Sequence, residues 1–152
     1  GEILELNVGG KPHGNIQVNF GIALKQYAKS HPGMYVGTEV HCRLTVEGRT
    51  RFRLPDVAVL LHDTDPSARF IDGAPDLAVE VRSPEDTLAS QVRKFKEYFA
   101  NGCKLGWFAI PEEKTILVLR PGAEDQVLTS GETLDGGDLL PGFSAPVDDI
   151  FS

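Results

Sequence analysis

The chain has 152 residues, 41% of them apolar and 24% charged, with 15 Lys plus Arg against 22 Asp plus Glu for a formal net charge of −7. That length suits one domain with a continuous core, and the balance excludes a disordered or fibrous chain. No apolar run approaches the roughly 20 residues that span a bilayer, and no signal-peptide layout opens the sequence.

Residues 3–8 alternate apolar and polar side chains, predicting a short strand closed by Gly9-Gly10. From about His13 to Ser30, Ile16, Phe20, Ala23, Leu24 and Tyr27 recur at helical spacing, and His31-Pro32-Gly33 is the expected stop. Residues 35–46 and 50–53 read as strands around a Glu47-Gly48 turn. Residues 57–61 and 77–81 are compact apolar strands, separated by a polar loop at 62–75 that holds Asp63, Asp65 and Asp72. Ser83-Pro84-Glu85-Asp86 has the parts of a helix start. The helix is expected to run to about Ala100, with Leu88, Val92, Phe95 and Phe99 as its buried stripe and Asn101-Gly102 as its end. Residues 105–110 and 115–120 then form a hairpin across Pro111-Glu112-Glu113-Lys114, and the last thirty residues read as irregular loops and short strands. This order predicts a single α/β domain, 1–152, with a mixed central sheet flanked by helices.

Asp56 and Glu80 are the most informative pair. Asp56 immediately precedes one apolar strand, and Glu80 lies near the end of the other. Antiparallel pairing of the two strands would bring both carboxylates to one edge of the sheet. In the second strand Leu77, Val79 and Val81 face one side, while Ala78, Glu80 and Arg82 face the other. A charge within an apolar strand is costly unless it is paired or binds a cation. Two converging carboxylates suit Mg²⁺, with waters and a backbone carbonyl completing the shell. The same residues also suit a turn cap at Asp56 and an ion pair from Glu80 to an Arg. Thr87, Gln91, Lys94 and Tyr98 share one helix face. Lys94 is therefore a candidate to polarise an attacking water or balance charge on a phosphoryl transition state, although taken alone it reads as a solvated side chain. Arg49, Arg51 and Arg53 alternate along a strand, an arrangement that fits a phosphate backbone and equally fits cross-strand ion pairs.

Other chemistries find no support. The four His (His13, His31, His41, His62) and the two Cys (Cys42, Cys103) lack zinc-ligand spacing, and there is no phosphate loop and no Gly-x-Ser-x-Gly elbow. Two Cys make no disulfide framework, so a cytoplasmic protein is expected. Trp107 reads as core.

In order and spacing, several segments resemble the restriction endonuclease family catalogued as domain of unknown function 820, in the PD-(D/E)xK nuclease superfamily. They are Leu54-Pro55-Asp56-Val57-Ala58-Val59, Pro75-Asp76-Leu77-Ala78-Val79-Glu80-Val81-Arg82-Ser83-Pro84, Lys94-x-x-x-Tyr98, Ala100-Asn101-Gly102-Cys103, Gly106-Trp107-Phe108-Ala109-Ile110-Pro111 and Leu140-Pro141-Gly142-Phe143. Gly1-Glu2-Ile3 and His13 also resemble family landmarks, and Gly1-Glu2 falls inside the family's usual beginning, implying an N-terminal extension ahead of it. The resemblance implies a restriction-endonuclease-like core and Mg²⁺- or Mn²⁺-dependent hydrolysis of DNA phosphodiester bonds. Asp56 and Glu80 would be metal ligands, with the Val81 carbonyl as a third. The superfamily's Lys position holds Arg82, which stays charged and cannot act as a base. The Lys role would move to Lys94 with Gln91 as helper, and Arg82 would offset phosphate charge.

Two further readings stand beside this one. The first is a catalytically inactive nuclease-fold module that binds protein or nucleic acid, and the second is hydrolysis of another phosphoester. A homodimer fits cleavage of two strands. The acidity is localised away from the expected active face, but it argues against a broad electrostatic DNA clamp, so any DNA binding is expected to be weak, local and metal-assisted. Residues 121–152 hold Glu124, Asp125, Glu132, Asp135, Asp138, Asp148 and Asp149 with no Lys or Arg, and the first 120 residues are neutral overall.

Overall fold

The computed structural model describes residues 2–62, 65 and 67–152, with side chains from Lys11 onward; Asp63 of the polar loop lies outside the described residues. In chain order the elements are α1 (Glu2–Ala28), β1 (Tyr35–Gly37), β2 (Cys42–Val46), β3 (Arg49–Arg53), β4 (Val57–Leu60), β5 (Ile71–Asp72) and β6 (Leu77–Val81). There follow α2 (Leu88–Ala100), β7 (Leu105–Ile110), β8 (Thr115–Leu119), β9 (Gln126–Leu128), β10 (Thr133–Gly136), β11 (Leu140–Pro146) and α3 (Val147–Phe151).

Every residue of β4 and β6 is buried, as expected of apolar strands covered on both faces. They lie inside a six-stranded sheet of order β1-β4-β6-β7-β8-β9, in which only the β6–β7 pair is parallel and α2 makes the crossover between them. The mixed sheet flanked by helices is the architecture expected from the sequence. Alternation along the strands divides the core in two. Leu77, Val79, Val81 and Trp107 pack with Ile16, Phe20 and Leu24 of α1, whereas Ala78 and Phe108 pack with Phe95 and Tyr98 of α2 and with Cys42 and Leu44 of β2. The two long helices therefore cover opposite faces of the central sheet.

Several local expectations are corrected. Residues 3–8 are helical, because α1 starts at Glu2 and runs through Gly9, Gly10 and Pro12. Glu2, Leu4, Glu5 and Leu6 favour helix at least as strongly as their alternation favours strand, and alternation counts only where a neighbouring strand is present to pair. The strand expected at 35–46 is broken in two where Glu39 takes φ 55. The Glu47-Gly48 turn holds, and both residues have positive φ (52 and 76), as a two-residue hairpin turn requires. The chain also ends in a short helix, α3, where only loops and strands were expected.

The second helix starts later than Ser83. Asp86 returns its carboxylate to the Ser83 N–H at 3.1 Å and closes a turn, leaving Thr87 to cap α2 through the Ser90 N–H. Its buried face differs as well. Leu88 (54% exposed) and Val92 (45%) point outward, while Gln91, Phe95 and Tyr98 are buried. Of the expected stripe, Phe95 is buried and Phe99 packs against the same cluster, whereas Leu88 and Val92 yield because the sheet presents Glu80, a buried polar group that draws the polar row inward.

Gly106 sets how closely α2 approaches. A Cβ there would lie 2.6 Å from Phe95 Cε1. Gly106→Ala is expected to cost about 1–3 kcal/mol through overpacking, read as a lower urea midpoint with an unchanged slope.

Candidate active site

The antiparallel register Val57↔Val79 places Asp56 and Glu80 opposite one another at the next step, where β4 begins and β6 ends. Asp56 is fixed from two directions. Its Oδ2 accepts the Val81 N–H at 2.7 Å and lies 3.1 Å from His13 Nε2. Gln17, one turn after His13 on α1, donates Nε2 to the Asp56 carbonyl at 2.7 Å. The hydrogen bond to Asp56 raises the His13 pKa against the effect of partial burial, and the charges of Asp56, Glu80 and Asp86 add to the rise.

Glu80 faces the α2 side of the sheet and is only 3% exposed. The Tyr98 hydroxyl donates to its Oε2 at 2.6 Å, and Lys94 Nζ stands 3.5 Å from its Oε1. Burial pushes its pKa up to about 7, opposed by Lys94 and reinforced by the charge of Asp56. Burial likewise raises the pKa of the Tyr98 phenol, so Tyr98 is a donor throughout the working range.

Asp56 thus has one oxygen tied by hydrogen bonds and one left over, whereas Glu80 has one oxygen tied to Tyr98 and the other paired with Lys94. Among the described residues no donor is bonded to Asp56 Oδ1, and Glu80 Oε1 meets only Lys94. Gln91, one turn before Lys94, is buried, and its Oε1 has no hydrogen-bond partner among the described residues. Among those residues no three His, Cys, Asp or Glu side chains converge, so the site is not a closed cage of zinc type. Two carboxylates and a backbone carbonyl still fit Mg²⁺, which keeps several waters and is commonly held by one or two carboxylates plus substrate phosphate.

The structure brings Asp56, Glu80, Lys94 and the backbone of Val81 together. Arg82 turns away, with Nη1 3.2 Å from Glu112 Oε1, so it neither pairs with Glu80 nor fills the site. The arginine row divides. Arg53 Nε donates to Glu97 Oε1 at 2.7 Å and Arg51 Nη1 to Glu97 Oε2 at 3.4 Å, joining β3 to α2, while Arg49 is exposed beside the turn. His13 and Gln17 were missed as site residues. Their spacing of four on a helix places them on one face, but nothing local indicates that this face meets Asp56.

The Arg53 hydrogen bond holds the Glu97 carboxyl below its ordinary pKa. A depressed acid contributes stability that is present above the unfolded-state value and lost as pH falls through the folded one. Glu97→Gln is expected to cost about 1–3 kcal/mol at neutral pH and progressively less as pH falls into the acid range, measured by urea unfolding across that range.

Comparison with known proteins follows the same line. The model of the Uma2 family, described as "Putative restriction endonuclease", matches residues 1–148. The crystal structure of "a putative nuclease belonging to DUF820" from Anabaena variabilis is similar in fold, with a TM-score of 0.81 and 20% identity, covering 92% of this chain and 80% of that one. No curated protein sequence matches. No helix among the described residues is long and apolar enough to cross a membrane.

Proposed function

The chain belongs to the Uma2 family, and from that premise we propose that it is a metal-dependent nuclease that hydrolyses phosphodiester bonds of DNA. The observation that carries this reading is the opposed pair Asp56 and Glu80, each anchored through one oxygen, with Lys94 paired to the second oxygen of Glu80. Asp56, Glu80 and the Val81 carbonyl would hold Mg²⁺ or Mn²⁺, which supplies Lewis-acid polarisation of the phosphoryl group and a lowered pKa for water.

The remaining roles belong to the chain. His13 and the Val81 N–H hold Asp56 in orientation, and Tyr98 does the same for Glu80. Lys94 orients the attacking water and offsets charge gathering on the phosphoryl oxygens. The unpartnered Oε1 of Gln91 accepts a hydrogen bond from that water. Arg82, tied to Glu112 and turned away from Glu80, would offset phosphate charge only on release from that partner. Along β3 the positive charge toward a phosphate backbone would come from Arg49, since Arg51 and Arg53 are engaged by Glu97.

The test is Mg²⁺ and Mn²⁺ binding by calorimetry, together with plasmid cleavage, for wild type, Asp56→Ala and Glu80→Ala. Metal-dependent cleavage by wild type alone is expected. Equal background cleavage by all three removes the reading.

A further inference from the structure

The exposed face of α1 is cationic, open and joined to the candidate site. Lys11, Lys25 and Lys29 lie in a stretch, residues 11–38, that holds no acid. Ile16, Phe20 and Leu24 seat one side of the helix in the core. Away from them Lys11, Gly14, Val18, Gly21, Lys25 and Lys29 follow at steps of three and four. Val18 and Ile22 are exposed here, and a Cβ at Gly14 or Gly21 would meet nothing within 4 Å, so no neighbouring element covers this face. A shallow groove runs along it, lined by Gly14, Gln17, Val18, Gly21, Lys25 and Lys29, with Thr38 at its side.

Gln17 ties this groove to the site. It lines the groove and donates to the Asp56 carbonyl, while His13, one turn earlier, meets the Asp56 carboxylate. Asp56 and His13 are each 21% exposed, so the site reaches solvent beside α1 as well as at Lys94 (23%). From Gln17 to Lys29 the helix rises about 18 Å, the length of about five phosphates of one duplex strand at about 3.4 Å each. Carboxylates bound the strip. Asp149 borders the other flank of α1, beside Asn19 and Ala23, and Glu39 follows Thr38. The positive strip is therefore narrow, and it suits one backbone rather than a broad clamp.

We propose that the groove on α1 holds the sugar–phosphate backbone of the cleaved strand of a DNA duplex, with Lys25 and Lys29 on phosphates a few nucleotides from the one at Asp56. This rests on the nuclease reading and names where its substrate lies. Bare backbone at Gly14 and Gly21 lets the strand lie close, and Val18 and Ile22 fit the apolar sugars between phosphates. A second copy is disfavoured as the occupant. Antiparallel packing about Val18 would set Lys11 against Lys25, both seven residues from it, and oppose like charges.

The experiment is fluorescence anisotropy of a labelled duplex across a salt series in Ca²⁺, a hard cation without the strict octahedral demand of Mg²⁺, so that binding is read apart from cleavage. It compares wild type, Lys25→Glu/Lys29→Glu, Lys25→Ala/Lys29→Ala, Gly21→Leu, and Arg93→Glu/Lys96→Glu on α2 as the control of equal charge change. The α1 reversal is expected to weaken binding about tenfold or more, and the Ala pair to reduce the slope of log K against log salt by about 2. Gly21→Leu should weaken binding about threefold or more at an unchanged slope, since it fills the groove and keeps the charge. Its urea midpoint should not fall, because the site is open and Leu favours helix, so misfolding is not the cause. The α2 control should bind as wild type does. Wild-type affinity in the α1 variants, an equal loss in the α2 control, or no binding by wild type overturns the proposal. So does a wild-type dimer that Gly21→Leu dissociates, since a second copy would then cover the groove. Metal-dependent cleavage by wild type with unchanged binding in the α1 variants sinks the groove alone. Binding that depends on α1 with no cleavage by wild type sinks the nuclease reading alone.

Discussion

Lys94→Met is expected to lower metal-dependent cleavage by about three orders of magnitude while leaving the fold intact. Among the described residues, Lys94 is the one Lys or Arg paired with either site carboxylate, and Arg82, at the superfamily's Lys position, is held by Glu112. No other ammonium or guanidinium is thus seated to take over its work. Lys94 is partly exposed, and Met keeps most of its aliphatic length, so little packing is lost. Lys94→Arg separates charge from shape. A guanidinium keeps the charge but is planar and larger than the ammonium that fits against Glu80, so only partial activity is expected to return. Single-turnover cleavage at saturating Mg²⁺ is the measurement. A Met variant within about tenfold of wild type would reduce Lys94 to a counter-charge for Glu80. Combining Lys94→Met with Asp56→Ala should cost hardly more than either change alone, because residues acting as one unit are not additive.

What the sequence made legible followed from strand chemistry. The apolar strands at 57–61 and 77–81 declared themselves, and period-two alternation placed Glu80 on the face opposite Val79 and Val81 before any pairing was known. The helical row of Gln91, Lys94 and Tyr98 was equally plain, since side-chain spacing on a helix is fixed by its pitch. What stayed hidden depends on contacts between distant segments. Leu88 and Val92 look like core by hydrophobicity, yet they face outward because the rotation of α2 is set by Phe95 and Tyr98 seating against β2 and β7 and by Glu80 drawing in its donors. His13 and Gln17 grip Asp56 across 43 and 39 residues, a relation no local pattern encodes. The arginine row was correctly placed on one strand, but its partner Glu97 sits on a helix more than forty residues on, and only the packing of β3 beside α2 reveals that Arg51 and Arg53 are engaged.

Glu80→Gln is expected to abolish cleavage and, in the absence of metal, to make the protein more stable above neutral pH. Both effects have the same origin. Glu80 is buried, and its pKa stands at about 7 against an ordinary 4.5. The native protein therefore holds a proton that the unfolded chain releases between those values. Stability from this group is full below 4.5 and declines as pH rises, levelling off above about 7. A neutral Gln accepts the Tyr98 hydroxyl through its amide oxygen and undergoes no such decline, so the variant should gain on the order of 1–3 kcal/mol over wild type at alkaline pH and nothing in acid. Taking the difference between the two proteins at each pH cancels Glu97, whose depressed pKa acts in the opposite direction in both. Mg²⁺ should reverse the order. A ligand that binds only the native state adds about 2.7 kcal/mol at a hundred times its Kd, and only wild type retains both carboxylates to receive it. Urea unfolding across pH, once in EDTA and once in Mg²⁺, tests both halves. Equal stabilities at alkaline pH in EDTA would mean that Glu80 is ionised at no cost in the native protein. A wild type that Mg²⁺ fails to stabilise would remove Glu80 from any metal site and leave it as the buried partner of Lys94 and Tyr98.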